Sequence, residues 1–208
     1  MARSPDTRER ILDTAQALVL EKGFSGTSLD DILKATGVTK GAFFHHFKSK
    51  AELAQKLIER FAEHDFAMFE DWNRRAEALA DDPYQALILF LKFFEEWLDN
   101  LEHPFAGCLL AVYVYESSLF DPAVNDFVSR SFAQWQRYYE AKFAAVIAAR
   151  PPRLAVNARD LAEAIVSILE GAFILARSHG DPALITRQSR LFRGYLKLLF
   201  DDVAAPST

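Results

Sequence analysis

The five histidines, His45, His46, His64, His103 and His179, form no set with carboxylates or cysteine at ligand spacing. Metal centres and nucleophile–base pairs require such convergence, so the sequence predicts no catalytic residue, no metal and no cofactor. A different chemistry is concentrated between Leu33 and Lys50, where Lys34, Lys40, Lys48 and Lys50 stand beside His45 and His46 with no acidic residue among them. That pattern suits phosphate oxygens. Within it Thr39, Lys40, Gly41 and Ala42 are small or cationic and would let a helix N-terminus approach a major groove closely, while Lys48, Lys50 and the N–H groups behind Ser49 are placed for phosphates.

The elements that must hold these residues follow from local signals. Ser28 precedes Asp31 by three positions, a capping box with Asp in place of Glu, and predicts a short helix carrying Leu29, Ile32 and Leu33 inward. Gly37 ends it, Thr39 caps the next, and a second short helix through Phe47 buries Val38, Phe43 and Phe47, so residues 28–47 read as a helix-turn-helix. Before it, a helix from about Pro5 to Lys22, capped by Ser4, turns Ile11, Leu12, Ala15, Leu18 and Val19 inward and stops at Gly23. Further on, Asp82-Pro83, Asp121-Pro122 and Asp181-Pro182 each pair a capping carboxylate with a proline preset for a first helical turn. Apolar residues between these breaks recur at helical spacing, as in Leu87, Phe90, Leu91, Phe94, Trp97, Leu98 and Leu101. The fold class expected is all-α with about nine helices. Domains are expected at 1–50, a helix-turn-helix unit, and at 51–208, a helical ligand-binding and dimerisation unit.

Across 208 residues the formal charge is −5, which argues against a general nucleic-acid binder. The average conceals a division: residues 1–60 carry 10 Lys+Arg against 8 Asp+Glu, net +2, and residues 61–208 carry 14 against 21, net −7. An acidic body would be repelled by DNA and leave the lysine patch as the docking surface. Half the residues are hydrophobic, which excludes general disorder. Cys108 is the single cysteine, so no intrachain disulfide exists and nothing points to an oxidising compartment. Met1 to Arg10 has no apolar stretch that could serve as a signal peptide, and the longest uncharged apolar run, Phe105 to Tyr115, is too short to cross a bilayer. A soluble cytoplasmic protein without a membrane partner is expected.

From Arg8 to Leu57 the chain resembles the N-terminal domain of TetR-type transcriptional regulators. The likeness rests on Ile11 and Ala15, Gly23-Phe24, Thr27-Ser28, Gly37-Val38-Thr39, Gly41, and the closing aromatic run followed by Lys48-Ser49-Lys50. It covers about a quarter of the chain. The resemblance implies a homodimer that binds near-palindromic operator DNA, usually as a repressor, and leaves when a small hydrophobic or aromatic effector enters the C-terminal domain. By position it assigns Thr27, Lys48 and Lys50 to phosphates and Thr39, Lys40, Ala42 and His45 to base edges, with Ser28, Gly41 and Phe44 completing the DNA-facing set. The family commonly has tyrosine where Phe44 stands, so that hydroxyl contact to phosphate is lost, with His45 or His46 as partial replacements and His46 also read as packing against the first helix.

The resemblance also places the effector pocket in the aromatic-rich region from about Phe61 to Ala149. Candidate ligand residues are Phe66, Phe69, Trp97, Cys108, Val112, Tyr113, Glu116, Trp135, Tyr139 and Glu170, against the plainer reading of the aromatics as core. Glu116 and Glu170 lie in apolar stretches and would require donors, an arginine or tyrosine within the fold or a polar group of an effector. Gly107-Cys108-Leu109 followed by Glu116 is similar to a pattern in one branch of the family, with Val112 where that branch often has asparagine. Cys108 is therefore either an electrophile or redox sensor or a small core residue. The last two helices, about Ala158 to Ser178 and Pro182 to Asp201, are apolar on more than one face, and Ile165, Leu169, Phe173, Leu191, Tyr195 and Leu198 are the expected dimerisation residues. A helical module that binds protein instead of DNA is the alternative from outside the family.

Overall fold

The computed structural model describes residues 7–201. Among them the chain forms nine α-helices and no strand: α1 (Thr7–Lys22), α2 (Leu29–Thr36), α3 (Lys40–His46), α4 (Lys50–Leu79), α5 (Pro83–Asp99), α6 (Leu109–Tyr115), α7 (Pro122–Ala149), α8 (Ala158–His179) and α9 (Ala183–Phe200), with a 3₁₀ turn at Ser117–Leu119. None of these helices is long and apolar enough to cross a membrane. Ser4 and Pro5, expected to open the first helix, lie outside the described residues.

The helix ends are set by the local chemistry expected of them. Ser28 Oγ accepts from the Asp31 N–H at 3.1 Å while the Asp31 carboxylate accepts from the Ser28 N–H at 2.9 Å, closing a reciprocal box at the start of α2. Gly37, at φ 67°, ends that helix in the left-handed conformation, where a side chain would be strained. Thr39 caps α3 through the Ala42 N–H, Asp82 caps α5 through Tyr84, and Asp121 accepts from Val124 in the first turn of α7. The third Asp-Pro pair acts one residue later: Pro182 stands just outside α9, which begins at Ala183.

By packing the chain divides into two compact units. The first takes residues up to Phe66 together with Ala106–Phe132, and the second takes Ala67–Phe105 with Ala133 onward. In the first, Ile11, Leu12, Ala15 and Val19 of α1 meet Ile32, Phe43, Phe47, Leu57 and Ile58 in one buried core. Leu20 is buried there, and the expected Leu18 is only half-buried. Arg60 of α4 donates to Glu9, Asp13 and Gln16 of α1, fastening the long helix along the first. The helix α6 packs on α1 in the same unit, and its Tyr113 hydroxyl, fully buried, donates to the Ala54 carbonyl at 2.8 Å. Burial raises the pKa of that phenol and keeps it a donor.

The second unit is built on α5, α8 and α9, with α9 packing on both others. Its aromatic residues gather around Phe69, whose ring lies 4.7 Å from Trp135, 4.9 Å from Trp72, 5.6 Å from Phe94 and 5.8 Å from Phe90. The buried carboxylate is Glu95 of α5, only 3% exposed, which accepts two hydrogen bonds from Arg193 at 3.0 and 2.8 Å and one from Ser189 at 3.2 Å. A fork-to-fork pair of this kind holds α5 to α9 in one register. Removing Arg193 alone leaves the buried carboxylate with Ser189 and the more distant Arg190, 3.7 Å away and half exposed. Arg193→Met is expected to destabilise the protein by about 3 kcal/mol in urea titrations, while adding Glu95→Leu restores most of that loss; equal stability of wild type and single variant would show that Glu95 finds other compensation.

Candidate functional site

The expected groove-facing surface exists as a surface. Ser28, Thr39, Lys40, Gly41, Phe44, His45 and Lys48 are exposed, and Ala42 is half-buried at the start of α3. Phe43 and Phe47 behind them are fully buried and fix the helix against the core, with Phe44 edge-on to Phe43 at 5.4 Å. Phe44 is 44% exposed, a large apolar side chain on a polar face. His45 and His46 lie edge to face at 5.2 Å. Lys34, Lys40 and Lys48 make no ion pair among the described residues. A Cβ built on Gly41 would meet nothing within 4 Å, and the residue is not at positive φ. The fold therefore makes no demand for glycine there, and glycine inside a helix weakens it by about 0.5–1 kcal/mol relative to alanine. The missing side chain leaves open space over this part of α3.

Two residues assigned to phosphates have their polar groups engaged within the protein. Thr27 is fully buried, and its hydroxyl donates to the Gly23 carbonyl at 2.7 Å. The Lys50 ammonium donates to the Phe24 carbonyl at 2.8 Å and stands 4.1 Å over the Phe24 ring. Burial lowers its pKa, against the opposing charges of Glu116 and Asp31. Both groups satisfy the carbonyls left at the end of α1, a local need that competes with any external anion. The start of α4 is similarly occupied: Ser49 accepts from the Glu52 N–H, and the Glu52 carboxylate accepts from the Lys48 N–H at 2.6 Å. An acid already sits at the helix end expected to face a phosphate.

The turn beneath these groups is held by a residue expected elsewhere. Glu116, just past α6, accepts from the Phe24 N–H at 2.6 Å, the Ser25 N–H at 3.2 Å and the Ser25 hydroxyl. Its donors are backbone and serine groups within the first unit, not the arginine, tyrosine or effector the sequence suggested. Ser25 gave no sequence signal, because its partner is 91 residues away. Gly23, at φ 80°, brings the turn so close that a Cβ there would lie 3.0 Å from the Glu116 carboxylate. The Phe24 ring is thereby set 5.0 Å from Phe120, which stacks on Tyr113 at 4.3 Å.

The remaining candidate ligand residues separate into groups. Tyr113 is a core residue of the first unit, and Phe69, Trp135 and Tyr139 are buried ring against ring in the second. Trp97 is half-buried, 5.5 Å from Trp72 and 5.6 Å from Phe105. Phe66, Val112 and Glu170 are half-buried. Cys108 is half-buried at the N-cap position of α6, where its side chain makes no capping hydrogen bond. Glu95, buried where the sequence reading named Glu116 and Glu170, was visible in principle: it lies four residues after Leu91 and three before Leu98 on the apolar stripe of α5. Of the expected dimerisation residues, Ile165 and Leu169 are buried within the single chain. Phe173 and Tyr195 are half-buried, and Leu191 and Leu198 are 67% and 72% exposed. No group of three His, Cys, Asp or Glu among the described residues could hold a metal ion.

The Glu116 bonds make stability depend on pH. Burial alone would raise its pKa, but the Ser25 hydroxyl, the Phe24 and Ser25 N–H groups and the charge of Lys50 together hold it below the ordinary glutamate value. A depressed carboxylate stabilises the fold above its unfolded pKa, and that contribution disappears as pH falls through the folded pKa. Glu116→Gln is expected to lower stability by about 1.5–3 kcal/mol at neutral pH, the range for hydrogen bonds to a charged group. The gap to wild type should close in thermal melts as the pH drops below about 4; a gap independent of pH would show that the charge is immaterial.

Comparison with known proteins gives the same picture. Residues 11–57 match the family model described as "Bacterial regulatory proteins, tetR family", and residues 83–190 match "Transcriptional regulator LmrA/YxaF-like, C-terminal domain". The transcriptional regulator AcuR of Cereibacter sphaeroides is 31% identical over 83% of this chain and 77% of its own length. The HTH-type transcriptional repressor DhaR of Mycobacterium sp. strain GP1 is 28% identical over 67% of this chain and 66% of its own. Among solved structures, a TetR-family transcriptional regulator from Agrobacterium tumefaciens superposes with a TM-score of 0.77 at 25% identity, covering 93% of this chain and 97% of that one.

Proposed function

Because the chain belongs to the TetR family of bacterial transcriptional regulators, and is thus a DNA-binding regulator, we propose that it is a homodimeric repressor of a near-palindromic operator, released by a small effector entering the second unit. The observation that carries the DNA-facing assignment is Gly41, a helix-weakening residue with empty space where its side chain would be, on a helix face bearing Thr39, Lys40, His45 and, just beyond, Lys48. In this reading Thr39, Lys40, Ala42 and His45 approach base edges, Lys48 meets phosphate, and Thr27 and Lys50 act indirectly by shaping the turn before α2. Phe44 can contribute only apolar contact, to a sugar or a thymine methyl. The cytoplasm is where such a regulator would meet its operator.

Homodimerisation is supported by the outer faces of α8 and α9. Leu191, Gly194, Tyr195 and Leu198 share one side of α9, and Gly171, Ile174 and Leu175 share one side of α8. Leu191, Leu198, Ile174 and Leu175 are all exposed in the single chain, and neither Gly171 nor Gly194 has an atom within 4 Å of where a Cβ would stand. Exposed leucines beside clear glycines suit a second copy packing helix on helix, which would pair two α3 helices on one operator.

Selection from a random DNA pool would provide the operator, and two variants then test the reading. Gly41→Ala is expected to raise thermal stability slightly, by up to about 1 kcal/mol, while weakening operator retention in gel shifts; undiminished binding would remove Gly41 from the interface. Leu191→Glu with Leu198→Glu is expected to give a folded monomer in gel filtration that no longer holds a two-half-site operator. A dimer persisting in that variant would place the interface elsewhere.

A further inference from the structure

Within the second unit a cleft of about 360 Å³ opens between the end of α4, the start of α5 and the C-terminal part of α7. At about 30 Å³ per water-sized group it has room for a small organic molecule. Its polar lining is ordered by depth. Lys142 of α7 is at the floor, its side chain only 14% exposed, donating to the Asn73 amide oxygen and lying 4.4 Å over the Tyr138 ring and 5.7 Å over Phe90. Glu77, with its side chain 62% exposed, and Asp81, also exposed, form the rim. Between floor and rim the walls are apolar, made by Pro83, Leu87 and Ala145 among others.

The ammonium at the floor is incompletely neutralised. Its nearest carboxylate in an ion pair, Glu77, is 4.0 Å away and largely solvated, and an amide oxygen and two ring faces supply the rest of its surroundings. Burial is the leading influence on Lys142 and lowers its pKa, against the weaker pull of Glu77 and Glu70. A buried cation in this condition is completed by an anion. A simple anion, however, must pass two acidic residues at the mouth.

We propose that this cleft binds a small zwitterion of the ω-amino acid class, with its carboxylate on Lys142 and Asn73 at the floor, a short aliphatic spacer against Pro83, Leu87 and Ala145, and its ammonium between Glu77 and Asp81. The inference rests on reading the second unit as the effector-binding one. It adds the chemistry of the ligand and the residues that select it, none of which belongs to the aromatic cluster around Phe69. A plain carboxylic acid satisfies the floor and is repelled by the rim, while a plain amine satisfies the rim and confronts the floor.

Calorimetric titration of the DNA-free protein with 5-aminopentanoate, pentanoate and pentylamine tests this. The amino acid should bind saturably and at least about tenfold more tightly than either partial analogue. Lys142→Met should weaken it by at least about thirtyfold, the loss expected when one partner of a buried charge pair is removed. Glu77→Gln with Asp81→Asn, both at exposed positions, should bring pentanoate to within about threefold of the amino acid. Equal binding of pentanoate to wild type, unchanged affinity in Lys142→Met, or absence of saturable heat at millimolar 5-aminopentanoate would overturn the proposal. Operator release is measured separately in gel shifts: zwitterion binding with the operator still held upholds the site and removes its effector role, whereas a protein that never binds an operator removes the regulator reading and leaves the titration to decide the site.

Discussion

The first unit depends on one carboxylate meeting one turn. At the end of α1 the chain reverses through Gly23, and the following N–H groups of Phe24 and Ser25 have no helical acceptor. Glu116 collects both, together with the Ser25 hydroxyl, and so fixes the turn to the end of α6. With the backbone held, the Phe24 ring enters the Tyr113–Phe120 stack and its carbonyl is left for Lys50. Thr27 then closes back on Gly23, and α2 starts from a defined point. The position of α3 follows from that start, because only the Gly37–Thr39 connection separates the two helices. The charges help one another: Lys50 lowers the pKa of Glu116, and Glu116 offsets the burial of Lys50.

This arrangement explains which parts of the site could be read from the sequence. Caps and stops are local, so Ser28 with Asp31, Gly37, Thr39 and the Asp-Pro pairs were legible from spacing alone, and the helices followed. Thr27 and Lys50 were legible as neighbours of the helix-turn-helix but not in their contacts, since each is turned inward by a carbonyl of the turn that follows α1. Glu116 and Glu95 find their donors more than ninety residues away, and sequence spacing has no access to that distance. Aromatic periodicity has a similar limit. It identifies the rings of the second unit, but whether they leave space between them or fill it depends on how α4, α5 and α7 are brought together.

Glycines give a complementary signal that only structure converts into meaning. Gly23 and Gly37 are required by their own backbone, with positive φ and, for Gly23, a carboxylate close by. Gly41, Gly171 and Gly194 are in helices with ordinary φ and open space beside them, so nothing among the described residues accounts for the helix stability they forgo. The first set explains the fold. The second lies on the two faces proposed for partners, α3 for DNA and the α8–α9 surface for a second copy.

The charge division takes on a narrower meaning in this light. Of the four lysines between Leu33 and Lys50, Lys50 is withdrawn into the turn, and the Glu52 carboxylate accepts from the Lys48 backbone at the head of α4. Nearby Lys22 is paired with Asp31 and Lys56 with Glu59. Of the four lysines in this stretch, Lys34, Lys40 and Lys48 make no ion pair among the described residues, fewer than the sequence count suggests. So small a patch gives a modest electrostatic contribution per chain, since each neutralised phosphate contributes through the release of roughly one counterion. On the proposed reading, sequence-specific retention comes from close approach at Gly41 and from doubling the patch in a dimer. On the same reading the acidic body opposes unspecific contact with nucleic acid and leaves the weakly cationic α3 as the surface for binding.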